Sequence, residues 1–296
     1  MRKLPAIAGA AQRIALAASV ALTTPLALSA PFFFSTGNPD GKIATASRPE
    51  NGAKFEIESA DDFALTQFTS LTSATFTALL TGGATTANIG EVRVEIYRVF
   101  PDDSNVGRTS GSPTFSTPQV PTRVNSPSDV ELADRDTAAG NLTLSTTSLG
   151  TFSALNSVAP GGIHPLPGIF TGGNGSVTGS EVEFDVTFTT PFVLAPGHYF
   201  FVPQVDVSGS GNFLWLSAPR PIVAPGTPFP AGFTDLQSWT RDEFLDPDWL
   251  RVGTDITGQG PFNAAFSLSG AVPEPGTELL LGASALVLWW QRRRRT

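Results

Sequence analysis

Between residues 181 and 189 apolar and polar side chains alternate without a break: Val182, Phe184, Val186 and Phe188 against Glu181, Glu183, Asp185 and Thr187. A period of two is the repeat of a pleated strand with one buried face, and a helix cannot sort these residues that way. Residues 91–100 repeat the pattern, with Val92, Val94 and Ile96 opposite Glu91, Arg93 and Glu95; Phe262, Ala264, Phe266 and Leu268 share a third face. Weaker alternations run through 54–57, 75–80, 142–147, 198–207, 212–217 and 249–252. The spacers are turn-forming, as in Asn38-Pro39-Asp40-Gly41, Pro160-Gly161-Gly162 and Gly172-Gly173-Asn174-Gly175. Residues 238–245 are the one short helical candidate in this region. Many strands, regular turns and one wet face predict an all-β, antiparallel β-sandwich. A doubly wound fold would need helices between its strands.

The domain is expected over 32–271, with a long Pro- and Gly-rich loop around 101–140; a boundary between two small domains is the alternative. There is no cysteine among the 296 residues, so neither disulfides nor thiolate chemistry is available. Residues 32–271 hold eleven basic against twenty-four acidic residues, a charge of −13 where the whole chain carries −8. Such a surface repels nucleic acid.

The two ends differ from the middle. Arg2, Lys3 and Arg13 precede an uncharged apolar stretch that runs to Ala30, the pattern of a secretory signal over 1–30 read by the general secretion machinery. At the other end Pro273, Glu274 and Pro275 are followed by the apolar run 279–290 and then Arg292, Arg293, Arg294 and Arg295. Twelve helical residues span about 18 Å against a hydrocarbon core of about 30 Å, which suits temporary insertion better than permanent anchoring. The motif, the short apolar helix and the arginine tail, in that order over 272–296, resemble the PEP-CTERM sorting domain of Gram-negative bacteria. The resemblance implies that Pro273, Glu274 and Pro275 are recognised by an exosortase after transient inner-membrane insertion, with the arginines on the cytoplasmic side. It further implies localisation at the cell surface or in an exopolysaccharide matrix. Ala60-Asp61-Asp62-Phe63 and residues 194–201 are similar to segments of secreted bacterial jelly-roll domains, which supports a jelly-roll-like sandwich ahead of the sorting helix.

Candidate chemistry is sparse. His164 and His198 are the only imidazoles, and their spacing suggests no zinc site. No Gly-x-Ser-x-Gly elbow or phosphate-binding glycine loop occurs. Glu181, Glu183 and Asp185 lie about 6–7 Å apart along one strand face, a separation that fits paired carboxylates in glycoside hydrolysis and equally fits a solvated acidic face. Asp129, Asp134 and Asp136, or Asp242, Glu243, Asp246 and Asp248, offer hard oxygen ligands for a structural calcium, with Asp242, Asp246 and Asp248 the chosen set. Trp239 and Trp249, with Trp215, are candidate glycan contacts, although packing is the ordinary role of such rings. The sequence thus predicts a non-enzymatic, exosortase-sorted surface or matrix protein. An extracellular carbohydrate-binding module and a secreted glycan-active enzyme are the alternatives.

Overall fold

The alternation at 181–189 becomes the middle of the longest strand in the protein, and the two sheets assemble around it. The computed structural model describes residues 29–105, 124–163 and 171–273. Residues 29–274 fall in one compact unit.

The larger sheet has nine strands: β1 (Ala30–Ser35), β2 (Ile43–Ala46), β4 (Thr69–Leu80), β7 (Leu142–Ala154), β8 (Asn156–Val158), β9 (Val177–Leu194), β11 (Phe213–Ala218), β14 (Asn263–Ala264) and β15 (Phe266–Val272). Its spine is the long antiparallel pair β4–β9, and β7 pairs along the far side of β9. On the opposite side β4 meets two partners in succession, β15 along residues 70–76 and β11 along residues 78–80. The sheet therefore branches, β15 leading to β1 and β11 leading to β2 and β8. The smaller sheet runs β13 (Leu250–Arg251), β12 (Trp239–Asp242), β3 (Ile57–Leu65), β10 (Gly197–Val207), β5 (Ile89–Arg98) and β6 (Ala133–Asp136).

One apolar core draws on both sheets, including Phe76, Phe184, Phe213 and Trp215 from the larger and Phe63, Val94, Ile96 and Phe201 from the smaller. Its centre is aromatic. Phe76 and Phe184 stack at 5.1 Å, and Phe213 presents its edge to both. Phe201 stacks on Phe266 at 5.0 Å and reaches Phe76 at 6.2 Å, which ties one sheet to the other. Offset and edge-on arrangements suit the ring quadrupoles, so these pairs add to the area they bury. The alternate residues of β4, β9 and β15 leave a polar outer face of Ser, Thr and carboxylate side chains, where Thr75 and Ser267 share a hydrogen bond of 2.5 Å.

Several expectations are corrected here. The fold is mostly antiparallel β in two open sheets, but it is not the antiparallel jelly-roll-like sandwich with a sorting helix that the sequence suggested. β2 and β8 pair in parallel, because the chain returns to that edge by a long connection rather than a hairpin. Residues 133–136, expected in a loop, form β6, and the short helix expected over 238–245 is replaced by β12 and a turn. β12 forms because Trp239 and Arg241 find cross-strand partners in Ala60 and Glu58, which local propensity does not reveal.

Among the described residues no helix is long and apolar enough to cross a membrane. Pro273 follows β15 as an exposed residue, whereas Glu274, Pro275, the run 279–290 and Arg292–Arg295 lie outside the described residues, as do the segment 1–28 and His164. The exosortase-sorted function, the transient inner-membrane insertion and the surface or matrix localisation therefore have no described element to carry them. They are set aside.

Phe184 is fully buried among ring partners, while Phe33 is 58 % exposed at the edge strand β1. Phe184→Ala is expected to destabilise the protein by about 3–5 kcal/mol in urea unfolding, with Phe33→Ala changing it by less than about 0.5 kcal/mol. Equal losses would contradict this placement of the core.

Candidate functional site

Charged residues on the smaller sheet collect on the face turned away from the aromatic core. The pleat sends Phe63, Val94, Ile96 and Phe201 inward, and so sends Glu58, Ala60 and Asp62 of β3, Arg93, Glu95 and Tyr97 of β5, and His198, Phe200 and Val202 of β10 outward. That outer face is not wet. Leu236, Trp239 and Trp249 pack on Ala60, Tyr97, Phe200 and Val202 as a separate apolar cluster, and two polar groupings flank it.

The first grouping is centred on Arg241, directly opposite Glu58 across the β12–β3 pair. Its guanidinium donates to both Glu58 oxygens through Nε and Nη2, the latter at 3.0 Å, and Nη2 also donates to the Tyr97 hydroxyl at 3.1 Å. Nη1 reaches the carbonyls of Asp129 and Pro247 at 3.2 and 3.3 Å and the Asp246 carboxylate at 2.8 Å. The Trp249 ring lies 4.3 Å from the guanidinium carbon. Tyr97 donates its proton to Glu58 at 2.5 Å. Burial opposes ionisation of Glu58, yet the charge and hydrogen bonds of Arg241 outweigh it and hold this carboxyl below the ordinary range. Burial opposes the charge of Arg241 too, and Glu58 and Tyr97 overcome that, raising its pKa. Glu95 has only the partly exposed Arg93, whose Nη1 lies 3.7 Å away. The burial of Glu95, and then the negative charge of Glu58, push it well above the usual carboxylate range.

The second grouping joins Asp62 to His198 at 2.5 Å. Asp62 also accepts the backbone N–H of Leu236 at 3.1 Å, and Phe229 and Phe233 lie 5.8 and 5.6 Å from the imidazole. Burial raises Asp62 in spite of the hydrogen bond and charge of His198. Asp61 points the other way, toward the space between the sheets, where Oδ2 accepts the Ala264 N–H at 2.8 Å and Oδ1 has no partner. Burial, followed by the charges of Asp62 and Asp235, raises it well above the ordinary range. Asp235, beside Arg220 and Asn263, is raised to about 6, first by burial and then by Asp62.

The residues singled out from sequence are placed differently from one another. Trp215, Trp239 and Trp249 are each 1 % exposed, so no ring of the three offers a face to a sugar. Trp215 sits in the inter-sheet core with its indole N–H on the Ala265 carbonyl, and Trp249 donates to Ser128. Asp246 is turned to Arg241, whereas Asp242 accepts the N–H groups of Phe244 and Leu245, and Asp248 is buried. Among the described residues no three His, Asp or Glu side chains are gathered so as to hold a metal ion. Glu181, Glu183 and Asp185 lie on the outer face of the larger sheet, Glu183 and Asp185 opposite Ser and Thr residues of β4 and β7 and Glu181 opposite Leu79 and Gly150. Burial, and then Glu183, raises Glu181. Sequence reasoning missed Glu58, Tyr97, Glu95 and the Asp62–His198 pair. The one local signal was two adjacent aspartates inside the apolar run 60–65.

An open depression of about 460 Å³ adjoins the Arg241 grouping, lined by Asp103, Ser104, Asn105, Asp129, Val130, Asp246 and Pro247. Its acids are already engaged. Asp103 lies 3.5 Å from Arg98, Asp246 binds Arg241, and Asp129 accepts the Asn105 N–H at 2.8 Å. No protein-family model, curated protein or solved structure matches this chain.

Asp61, Asp62, Asp235 and Glu95 all bind their protons more tightly folded than unfolded. Their contribution is therefore fully present below the unfolded carboxylate pKa and is lost as pH rises through the folded value, about 6 for Asp235. Glu58 acts in the opposite sense, its stabilisation disappearing as pH falls through its depressed pKa. The Tm is expected to be higher near about pH 5 than near about pH 7.5, with a smaller difference in Asp235→Asn. An unchanged pH slope in that variant would remove Asp235 from this account.

Proposed function

We propose that this domain is a non-catalytic structural β-module whose charged residues hold surface segments onto the smaller sheet rather than processing a substrate. One observation carries the proposal. Arg241, the most deeply buried cation of the site, spends its donors on Glu58, Tyr97, two backbone carbonyls and Asp246, all within the chain. A catalytic or ligand-binding arginine keeps a donor directed at the place a ligand will occupy. The Asp62–His198 pair has the same character, since Asp62 anchors Leu236 and the ring lies between Phe229 and Phe233.

The competing reading is an enzyme that uses His198 as a general base oriented by Asp62, favoured by their 2.5 Å contact and by the partial exposure of the imidazole. A panel of chromogenic esters, phosphate esters, glycosides and peptide amides separates the two. The structural role predicts no turnover above solvent background and a lower Tm for His198→Ala. Turnover that His198→Ala abolishes in a folded protein would overturn it.

A further inference from the structure

The free sheet edges of this protein are not equivalent. β13 has two residues, β8 three and β6 four; β6 carries Asp134, Arg135 and Asp136; and β1 begins Ala30-Pro31. Each is short, charged or interrupted by proline, and these are the usual means by which a strand edge is kept from pairing with another chain. β7 has none of them. It runs for thirteen residues, contains no proline or charge, and pairs with β9 on one side only among the described residues. It lies within a stretch, residues 137–180, that has no Asp, Glu, Lys or Arg at all.

From this edge we infer that β7 is a self-association surface whose partner is β7 of a second copy, paired antiparallel about a two-fold axis through Ser145. The direction of the backbone groups sets the register. Thr189 N–H donates to the Asn141 carbonyl, so residues 141, 143, 145 and 147 turn their N–H and C=O groups toward β9. Leu142, Leu144, Thr146 and Ser148 turn theirs toward the open edge. An antiparallel copy uses all four only when residue 142 faces 148 and residue 144 faces 146, which places Ser145 opposite itself. The bulge between Ser148 and Gly150, where Gly150 has φ +110°, bends the strand and ends the flat stretch.

Charge favours a copy over a different partner. Pairing two uncharged strands brings no like charges together, although the domain as a whole is strongly acidic. The nearest acids, Glu183 and Asp185, stand on β9, one strand behind β7. Across the dimer the two β9 strands are separated by three strand spacings, about 14 Å, beyond the Debye length of about 8 Å at physiological ionic strength. On the outer face Thr143 of one copy meets the Thr147 position of the other, a cross-strand hydroxyl pair of the kind that stabilises antiparallel sheets.

The chain has no cysteine, so a single introduced thiol reports this geometry without background. In full-length Ser145→Cys, mild oxidation is expected to give a disulfide-linked dimer, because self-opposed residues of a non-hydrogen-bonded pair bring their Cβ atoms within reach. Thr187→Cys, exposed one strand away on β9, is expected to stay monomeric on the gel. Light scattering across a dilution series should give twice the chain mass for the wild type. Thr146→Pro, which removes an outward N–H without touching a bond to β9, should give the single-chain mass with Tm retained. A wild type that is monomeric throughout would overturn the inference. So would cross-linking no faster at residue 145 than at residue 187, or a dimer that survives both Thr146→Pro and the double variant Ser145→Lys/Thr147→Lys. None of these outcomes bears on turnover, so the dimer and the non-catalytic role fail separately.

Discussion

The smaller sheet depends on the pairing of Arg241 with Glu58. Its outer face would otherwise show water a row of strand residues, yet Trp239, Trp249 and the segments around Asp129 and Pro247 cover it. Covering a charged strand position is costly unless the charge is fully met. Glu58 receives two donors from one planar guanidinium and a third from Tyr97, and the remaining Arg241 donors bond to the carbonyls of the covering segments. One side chain thus neutralises the buried acid and fastens two surface segments. A lysine offers no such planar fork.

Neutralisation by a buried cation stops at Glu58. Glu95, Asp61 and Asp62 are buried and Asp235 is half-buried, with only the partly exposed Arg93 and Arg220 beside Glu95 and Asp235, and all four retain their protons to higher pH. An acidic domain gains from this as pH falls below neutral, because each carboxyl that takes up its proton early adds nothing to the self-repulsion. The two sheets divide the work: the aromatic stack supplies the apolar burial that a chain without disulfides requires, and the polar groupings fix the segments laid over the smaller sheet.

The long strands were legible because their patterns are local. β5 and β9 alternate over many residues, so their strand character and the face each gives to the core follow from periodicity, whereas the cover that buries Glu95 and Tyr97 on the other face of β5 does not. β6, β8 and β12 were not legible, since they have three or four residues each and exist because a distant strand accepts them. The candidate site shows the same limit. The cluster of aromatic and charged residues at 239–249 was visible, but its chemistry was reversed by burial: tryptophans that read as sugar platforms are core, and Arg241 is bound to an acid 183 residues away. No local pattern relates His198 to Asp62, which meet through the pairing of β10 with β3.

The central claim is that Arg241 acts as a fastening for the segments above the smaller sheet. Amide hydrogen exchange compared between the wild type and Arg241→Met tests it most directly, because exchange reports opening segment by segment. The account predicts that amides of residues 126–132 and 245–251 lose protection in the variant by at least about tenfold, while those of β4 and β9 around Phe76 and Phe184 change far less. Protection lost equally in both sheets, or unchanged over 126–132 and 245–251, would contradict it.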